Sequence, residues 1–208
     1  MTIEHLLRDG LERLRLPLDD AGVASLAAFV DLLERWNRSY NLTAVRDPAE
    51  MVPKHILDSL AVLPWAGEGR LLDVGAGAGL PGIPLAVARP ALDVTLVDSA
   101  GKKVRFMNHV KRALGLANIH PLHARAEDLS PSEPFDTVIS RAFSSLASFA
   151  RSVRPLAEAG ARLLAMKGRY PGEEIAALPD WAAVRSIEKL EVPGLHEQRH
   201  LVIMSVNP

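Results

Sequence analysis

A glycine-rich turn that follows a short apolar run constrains the fold of this chain most. Residues 71–80 read LLDVGAGAGL, so Asp73 precedes Gly75, Gly77 and Gly79. The pattern predicts a strand that runs into a tight turn and then a helix, because glycine permits both the turn and the close approach of a ligand. A ligand site at the end of a strand is therefore favoured, and a purely structural glycine turn is the alternative.

Short apolar runs alternate with helical stretches after residue 67. The predicted strands are Arg70–Val74, Val94–Val97, Ile119–Leu122, Thr137–Ser140, Arg162–Met166, Val184–Val192 and His200–Val206. Helices fit between most of them, notably Gly101–Leu114 and Ser145–Leu156. Such alternation predicts an α/β fold with a doubly wound, mostly parallel sheet that helices cover on both faces.

The first 66 residues indicate a helical region instead. One apolar stripe at helical spacing comprises Leu26, Phe29, Val30, Leu33 and Trp36. We therefore expect two domains. Residues 1–66 would form an N-terminal helical subdomain, and residues 67–208 would form the α/β domain that binds the ligand.

Asp47 opens a second predicted helix in this region. It would cap the helix, a proline follows at the first helical position, and Glu50 would reach back from the third. We expect the helix to run to Leu63. It carries His55 and Asp58 three positions apart, a spacing open to a metal pair or an acid/base pair. We expect His55 instead to dock the helices onto the α/β domain.

Composition excludes several classes of site. The chain has no cysteine, which rules out disulfides, a thiol nucleophile and thiolate metal sites. Its seven histidines show no metal-ligand motif, so we expect no metal. Charges interrupt the first ten residues where a secretory signal needs an apolar run. No stretch approaches the roughly 18 apolar residues of a membrane span. We therefore expect a cytoplasmic protein that does not enter a membrane.

The formal net charge of −1 argues against binding nucleic acid through overall charge. That total averages unlike segments, because residues 67–128 hold eight basic and six acidic residues while residues 1–66 hold seven and ten. The densest basic cluster comprises Lys102, Lys103, Arg105, Lys111 and Arg112. Such a cluster is either a solvated helix face or a surface that contacts RNA phosphates.

Asp98 directly follows the second predicted strand. It lies 23 residues after Gly75, which is near the spacing expected for a carboxylate that binds ribose hydroxyls. A nicotinamide loop would have glycine at position 80, where this chain has Leu80, and Asp73 would crowd a pyrophosphate. That acid suits a positively charged ligand without phosphates, such as S-adenosylmethionine. A nicotinamide-dependent oxidoreductase is the alternative.

Residues 73–85 (DVGAGAGLPGIPL) resemble the cofactor loop of the RsmG (GidB) family of bacterial methyltransferases. The similarity continues in Tyr40–Thr43, His55–Leu60, Asp98–Phe106, Arg125–Glu127, Ser140–Ala142, Met166–Gly168 and Arg199–Val202. Enzymes of this family methylate guanine N7 in 16S ribosomal RNA. The resemblance implies the class I S-adenosylmethionine-dependent methyltransferase fold, with a seven-stranded sheet whose last strand is antiparallel.

The resemblance also implies roles for individual residues. The cofactor would be bound by Asp73, Gly75, Gly77, Gly79, Leu80, Asp98, Ala126, Glu127 and Arg141. Within this set, Ala126 and Glu127 would contact the adenine ring. Arg141 would border both the cofactor and the target base and would serve as the catalytic residue. RNA would be contacted by Lys102, Lys103, Arg105, Lys167 and Arg199.

The implied chemistry suits a chain without a recognisable catalytic triad. Guanine N7 carries a free lone pair, so catalysis needs proximity and alignment and no general base. We expect 16S ribosomal RNA within the small ribosomal subunit as the partner, and no obligate protein partner. The residue chemistry alone leaves open a methyltransferase for a small molecule or a protein, and a non-enzymatic RNA-binding factor.

Overall fold

Seven strands form one sheet in the computed structural model, which describes residues 2–141 and 143–207. Met1, Pro208 and Ala142, the last residue of the Ser140–Ala142 similarity, lie outside the described residues. The strands are β1 (Arg70–Val74), β2 (Asp93–Asp98), β3 (Ile119–His123), β4 (Thr137–Ser140), β5 (Arg162–Lys167), β6 (Ala182–Leu190) and β7 (Arg199–Val206).

The strand order, β3-β2-β1-β4-β5-β7-β6, confirms the predicted fold class. Neighbours among β1 to β5 pair in parallel, and β7 lies antiparallel between β5 and β6. Six strands match their predicted bounds to within one residue at each end. The sixth begins and ends two residues earlier than predicted. It is an edge strand with a register irregularity between Val184 and Ser186, so its sequence alternation is weak.

Helices precede the sheet and connect its strands. They are α1 (Ile3–Leu14), α2 (Asp20–Tyr40), α3 (Pro48–Met51), α4 (Asp58–Leu60), α5 (Gly82–Ala88), α6 (Gly101–Leu114), α7 (Leu146–Ser152), α8 (Arg154–Glu158) and α9 (Gly172–Ala176). A π-helical turn, Val52–Leu57, joins α3 to α4, and short 3-10 helices lie at Leu63–Trp65 and Ala126–Asp128. None of the helices in the described ranges has both the length and the apolar character needed to cross a membrane.

The helix predicted from Asp47 is interrupted by the π turn. Asp47 caps its start as expected, accepting a hydrogen bond from Ala49 N at 2.9 Å. Pro53 has no N–H for the helical bond to the Ala49 carbonyl, and the backbone widens at that point. The predicted role of Glu50 was wrong, because its carboxylate accepts from Lys54 Nζ at 2.8 Å rather than reaching back.

A single helix over Ser145–Leu156 was also wrong. The chain breaks into α7 and α8 at Val153, whose φ of −117° and ψ of 13° leave the helical range. Pro155 has no N–H for a bond to the carbonyl four residues earlier and disfavours a continuous helix before it. Ser145 still caps the first of the two helices through Ser148 N at 3.1 Å.

The sheet carries one apolar layer on each face. In β1, Leu71 packs into a cluster with α1, α2, α5 and α6, whereas Leu72 packs into a second cluster with α7 and α8. Phe29 of α2 stacks on Phe106 of α6 with ring centroids 6.2 Å apart. The N-terminal helices thus share their core with the sheet. The division of the chain into domains after residue 66 stays a prediction.

Candidate active site

The glycine turn between β1 and α5 is fixed on the carboxyl end of β2. The N–H groups of Gly75 and Ala76 donate to the Val97 carbonyl at 2.9 and 3.0 Å. The next glycine, Gly77, donates its N–H to Asp98 Oδ2 at 2.9 Å. These bonds hold the main chain of the turn against the strand end where open α/β sheets bind ligands.

Two positions that were predicted to bind the cofactor shape the packing of this turn. Gly79 has a φ of +81°, and a Cβ there would lie 2.2 Å from Ile83 Cδ1. Only glycine fits such a position. Leu80 is 4% exposed and its side chain belongs to the apolar core. The structure therefore places both residues on the side of the turn that packs against the apolar core.

Asp98 lies in the wall of a first cavity of about 290 Å³. Its Oδ1 accepts from Ala100 N at 2.8 Å, and its Oδ2 accepts from Gly77 N at 2.9 Å and from Lys103 Nζ at 3.3 Å. Other residues that line this cavity are Gly75, Lys103, Ala126, Glu127 and Phe143. Five residues from the sequence prediction are thus brought together around one space.

The lining of the first cavity fits an adenosine moiety. Asp98 and the exposed Glu127 are carboxylates, which accept hydrogen bonds from ribose hydroxyls and from an adenine amino group. Ala126 is buried in the 3-10 helix after β3, where it brings the backbone to the cavity. Phe143 adds an apolar ring to the same wall. These acceptors and the apolar wall fit the adenosine part of the predicted cofactor.

Asp73 lies beneath the turn and is fully buried. Its Oδ2 accepts from Gly82 N at 2.8 Å, and its Oδ1 has no hydrogen-bond partner among the described residues. Burial raises the pKa of Asp73 to about 7, although the Gly82 hydrogen bond and Arg141 act in the opposite direction. A buried carboxylate with an unpaired oxygen fits a positive charge nearby, which is the charge that a sulfonium ligand carries.

A second cavity of about 400 Å³ lies at the carboxyl ends of β4 and β5. It is lined by Val45, Lys54, His55, Asp58, Arg141, Met166, Lys167, Gly168, Glu197 and Arg199. Arg141, Lys167 and Arg199, which the sequence assigned separately to catalysis and RNA binding, therefore share one wall. Lys167 Nζ forms an ion pair with Glu174 at 2.9 Å.

Asp58 lines the second cavity and has partners that the sequence did not reveal. Its Oδ2 accepts from Arg141 Nη1 at 3.2 Å, and its Oδ1 accepts from Arg199 Nε at 3.0 Å. Burial raises the pKa of Asp58, and the two arginines oppose that shift. The available signal was a carboxylate inside an apolar helical run, since buried acids require a partner.

The docking role predicted for His55 belongs to Asp58. His55 Nδ1 lies 2.9 Å from the Lys54 carbonyl and Nε2 lies 2.7 Å from Thr43 Oγ1. Because a carbonyl only accepts, Nδ1 donates to it and Nε2 accepts from the threonine hydroxyl. Burial, with Arg141 nearby, lowers the pKa of His55 to about 4, so the ring is neutral. No metal-binding group of three or more ligand side chains occurs within the described ranges.

The basic cluster of α6 is divided among different environments. Lys103 lines the first cavity, as described above. Lys102 Nζ donates to the Tyr40 carbonyl at 2.9 Å, which ties α6 to the end of α2. Arg105 and Arg112 are exposed on the outer face. The predicted RNA-contacting residues therefore lie at three places: on the outside of α6 (Lys102 and Arg105), at the first cavity (Lys103) and around the second cavity (Lys167 and Arg199).

Solved structures with low sequence identity share this fold. A SAM dependent methyltransferase from Aquifex aeolicus matches with a TM-score of 0.57 and 19% identity, covering 77% of this chain and 94% of that one. The mitomycin 7-O-methyltransferase MmcR matches with a TM-score of 0.60 and 16% identity, covering 95% and 75%.

Sequence relatives are much closer. The ribosomal RNA small subunit methyltransferase G of Alkalilimnicola ehrlichii is 53% identical over 196 residues, covering 94% of this chain and 89% of the relative. The protein of that name from Pseudomonas aeruginosa strain PAO1 is 50% identical over 199 residues, covering 95% and 93%. The family model GidB, rRNA small subunit methyltransferase G, matches residues 23–202. The chain therefore belongs to the GidB family of rRNA small subunit methyltransferases G.

Proposed function

We propose that this protein transfers a methyl group from S-adenosylmethionine to N7 of a guanine in 16S ribosomal RNA of the small ribosomal subunit. The observation that carries the proposal is the pair of cavities at one edge of the sheet. The first cavity presents Asp98 and Glu127, and the second presents Arg141, Lys167 and Arg199. An adenosine acceptor set thus lies beside a basic space suited to RNA. A ribosomal substrate also agrees with the cytoplasmic location expected from the sequence.

The first cavity would hold the cofactor through groups that are already oriented. S-adenosylmethionine, when bound, supplies a methyl group on a positively charged sulfur. Asp98 would accept hydrogen bonds from the ribose hydroxyls, and Ala126 and Glu127 would contact the adenine. Gly75 would bring the main chain of the turn close to the ligand. Asp73, buried beneath the turn, would stabilise the positive charge.

Arg141 would orient the target base. It follows β4, whose last residue, Ser140, donates its hydroxyl to the Val74 carbonyl at the end of β1 at 2.7 Å. This bond keeps the chain before Arg141 beside the glycine turn, between the two cavities. Because guanine N7 carries a free lone pair, alignment suffices and no side chain has to remove a proton. The neutral, hydrogen-bonded His55 is consistent with such a site.

RNA would be held mainly through its phosphates. Lys and Arg contacts to phosphates supply much of the affinity of RNA-binding proteins without reading sequence. Lys102 and Arg105 offer such contacts on the outside of α6, and Lys167 and Arg199 offer them at the second cavity. Lys103, whose ammonium group already lies beside Asp98, is better placed to support the cofactor.

Methyl transfer from tritium-labelled cofactor tests the proposal directly. Small subunits from a bacterial strain deleted for its own family member would be incubated with the protein, and the RNA would be digested to nucleosides. We expect label in N7-methylguanosine, and parallel incubation with naked 16S RNA would show whether the assembled particle is required. Label in another nucleoside, in ribosomal protein or only in small molecules would contradict the proposal.

A further inference from the structure

One buried carboxylate organises the second cavity. Asp58 belongs to α4, directly after the π turn, and its side chain is 3% exposed. It joins Arg141, which follows β4, to Arg199, which opens β7. The side chains of the two arginines are 27% and 23% exposed, and both residues line the cavity. Asp58 therefore fixes two cations from distant segments at the place where the target base would bind.

The charges around Asp58 show why the two arginines need it. A guanidinium group does not lose its proton at physiological pH, so two of them around one partly buried space repel each other. Lys54 and Lys167 line the same cavity, and each has its own acidic partner, Glu50 and Glu174. Asp58 is shared by both arginines. It neutralises one of their two charges, and Glu197 adds a further carboxylate to the lining of the same cavity.

The preferred contact between arginine and guanine raises a difficulty for N7 chemistry. A free arginine binds guanine through two hydrogen bonds, to O6 and to N7. A hydrogen bond to N7 occupies the lone pair that must attack the methyl group. An arginine at such a site therefore has to be held so that it contacts O6 or the phosphate and leaves N7 free.

The geometry points to Asp58 as a positioning residue that holds Arg141 and Arg199 by one N–H each and so keeps Arg141 away from guanine N7. This inference rests on the proposed function. The contact through Arg141 Nη1 at 3.2 Å restrains one edge of the guanidinium group, and Nη1 also lies 3.4 Å from the Lys54 carbonyl. The second oxygen of Asp58 is taken by Arg199, so the carboxylate cannot rotate away from either partner.

Steady-state methylation of small subunits by Asp58→Asn tests the inference. The amide has nearly the shape of the carboxylate but has no charge and only one acceptor oxygen, which weakens the hold on Arg141 and lets its guanidinium group turn towards both O6 and N7. We expect kcat to fall by about tenfold or more while KM for the small subunit stays equal or decreases, the signature of a substrate that is bound more tightly but less productively. Asp47→Asn, the same chemical change at an exposed cap where asparagine works equally well, should leave both constants unchanged.

A double variant separates positioning from a structural role. If Asp58 acts through Arg141, then Asp58→Asn combined with Arg141→Ala is no slower than Arg141→Ala alone. Additive losses would overturn the inference, as would a raised KM with unchanged kcat. Methylation is measured at saturating S-adenosylmethionine, so that an effect of Arg141 on cofactor affinity does not enter kcat.

Asp58→Glu keeps the charge but displaces both arginines by one methylene, so it should also lose kcat. Misfolding of both Asp58 variants would assign the residue to the stability of the core and would overturn the positioning role. Should the wild-type protein fail to produce N7-methylguanosine, the proposed function itself would be contradicted, whatever the variants do. Methylation by the wild type together with unchanged kcat in the variants would contradict only the role of Asp58.

Discussion

At the scale of single residues, Asp98 shows how a carboxylate in the wall of a cavity is held in one orientation. Three donors hold it, from the glycine turn, from the start of α6 and from Lys103. Its side chain is 5% exposed, so it has little freedom to rotate before a ligand arrives. Such preorganisation reduces the ordering that binding would otherwise require.

We expect Asp98→Asn to weaken cofactor binding strongly. The amide offers one acceptor oxygen in place of two, so it loses a hydrogen bond in the turn and presents a neutral group to the ribose. Loss of a hydrogen bond to a charged group costs about 1.5–3 kcal/mol, which corresponds to roughly a 10- to 100-fold higher Kd for S-adenosylmethionine in calorimetry. Asp93→Asn, at the opposite end of β2, is the matched control. Equal affinities in the two variants would refute the assignment of Asp98.

The position of Asp98 beside the glycine turn could be predicted from the sequence, whereas the partners of Asp58 could not, for a physical reason. Asp98 lies at the end of a strand, at a fixed distance from the glycine turn, so local geometry brings it to that turn. The partners of Asp58 lie 83 and 141 residues away, and no local pattern encodes such contacts. Lys102 and Lys103 are a second example of surroundings that local sequence does not encode. They are consecutive residues of one helix, yet they face different surroundings that only the tertiary structure defines.

At the scale of elements, the glycine turn and α5 form one packed unit. Gly79→Ala should destabilise the protein through two effects, because its φ is +81° and its Cβ would meet Ile83. Backbone strain costs about 1–2 kcal/mol and overpacking about 1–3 kcal/mol. Gly115→Ala has a similar φ of +66° with no neighbour within 4 Å, so it shows the strain alone.

The measurement is the free energy of unfolding from urea titrations of both glycine variants. We expect Gly79→Ala to lose more than Gly115→Ala, and we expect Ile83→Val to relieve part of the difference in the double variant. Equal losses for the two alanine variants would mean that the turn does not pack against α5 as the structure shows.

Strands were easier to predict than helix interruptions. The apolar runs of a buried parallel sheet are short and bounded, so six of the seven strands were placed to within one residue. Pro53 and Pro155 were visible in the sequence, yet one accompanies a π turn and the other a break between two helices. Whether a proline produces a π turn or a break between helices depends on which neighbouring residues the helix must bury, and tertiary packing determines those residues.

At the scale of the whole molecule, the near-zero net charge hides an uneven distribution of exposed cations over the surface. The exposed cations Lys102 and Arg105 lie on α6, which packs beside β3 at one edge of the sheet, whereas Lys189 lies on β6 at the other edge. Binding to RNA should weaken as salt increases, because phosphate contacts release counterions. Filter-binding titrations should show the log–log salt slope reduced by about 0.7 for each of Lys102→Gln and Arg105→Gln. Lys189→Gln should leave the slope unchanged, and an equal reduction there would argue against a local surface.

Two buried groups should cancel each other's effect on the acid stability of the ligand-free protein. Folding lowers the pKa of His55 from 6.5 to about 4 and raises that of Asp73 from 3.8 to about 7. Between about pH 4 and pH 6.5, the unfolded chain carries one proton on His55, and the folded chain carries one proton on Asp73. The proton counts are equal, so these two groups together contribute almost no pH dependence.

Single substitutions should expose each contribution. In His55→Gln only the Asp73 contribution remains, and stability relative to wild type should fall as pH rises from about 4 to 6.5. In Asp73→Asn only the histidine contribution remains, and relative stability should rise over that range. The limiting slopes are about 1.4 kcal/mol per pH unit with opposite signs, measured by urea unfolding at several pH values without cofactor. Slopes of the same sign in both variants would contradict this pairing.

The link that Asp58 makes between distant segments also sets an order of assembly during synthesis. The carboxylate emerges early from the ribosome, its first arginine partner follows 83 residues later, and the second only with β7. A product that terminates before β7 would still contain the glycine turn, Asp98 and Glu127, but it would lack one guanidinium group and an inner strand of the sheet. Incomplete chains therefore lack part of the lining of the second cavity, which is complete only when nearly all of the sheet is in place.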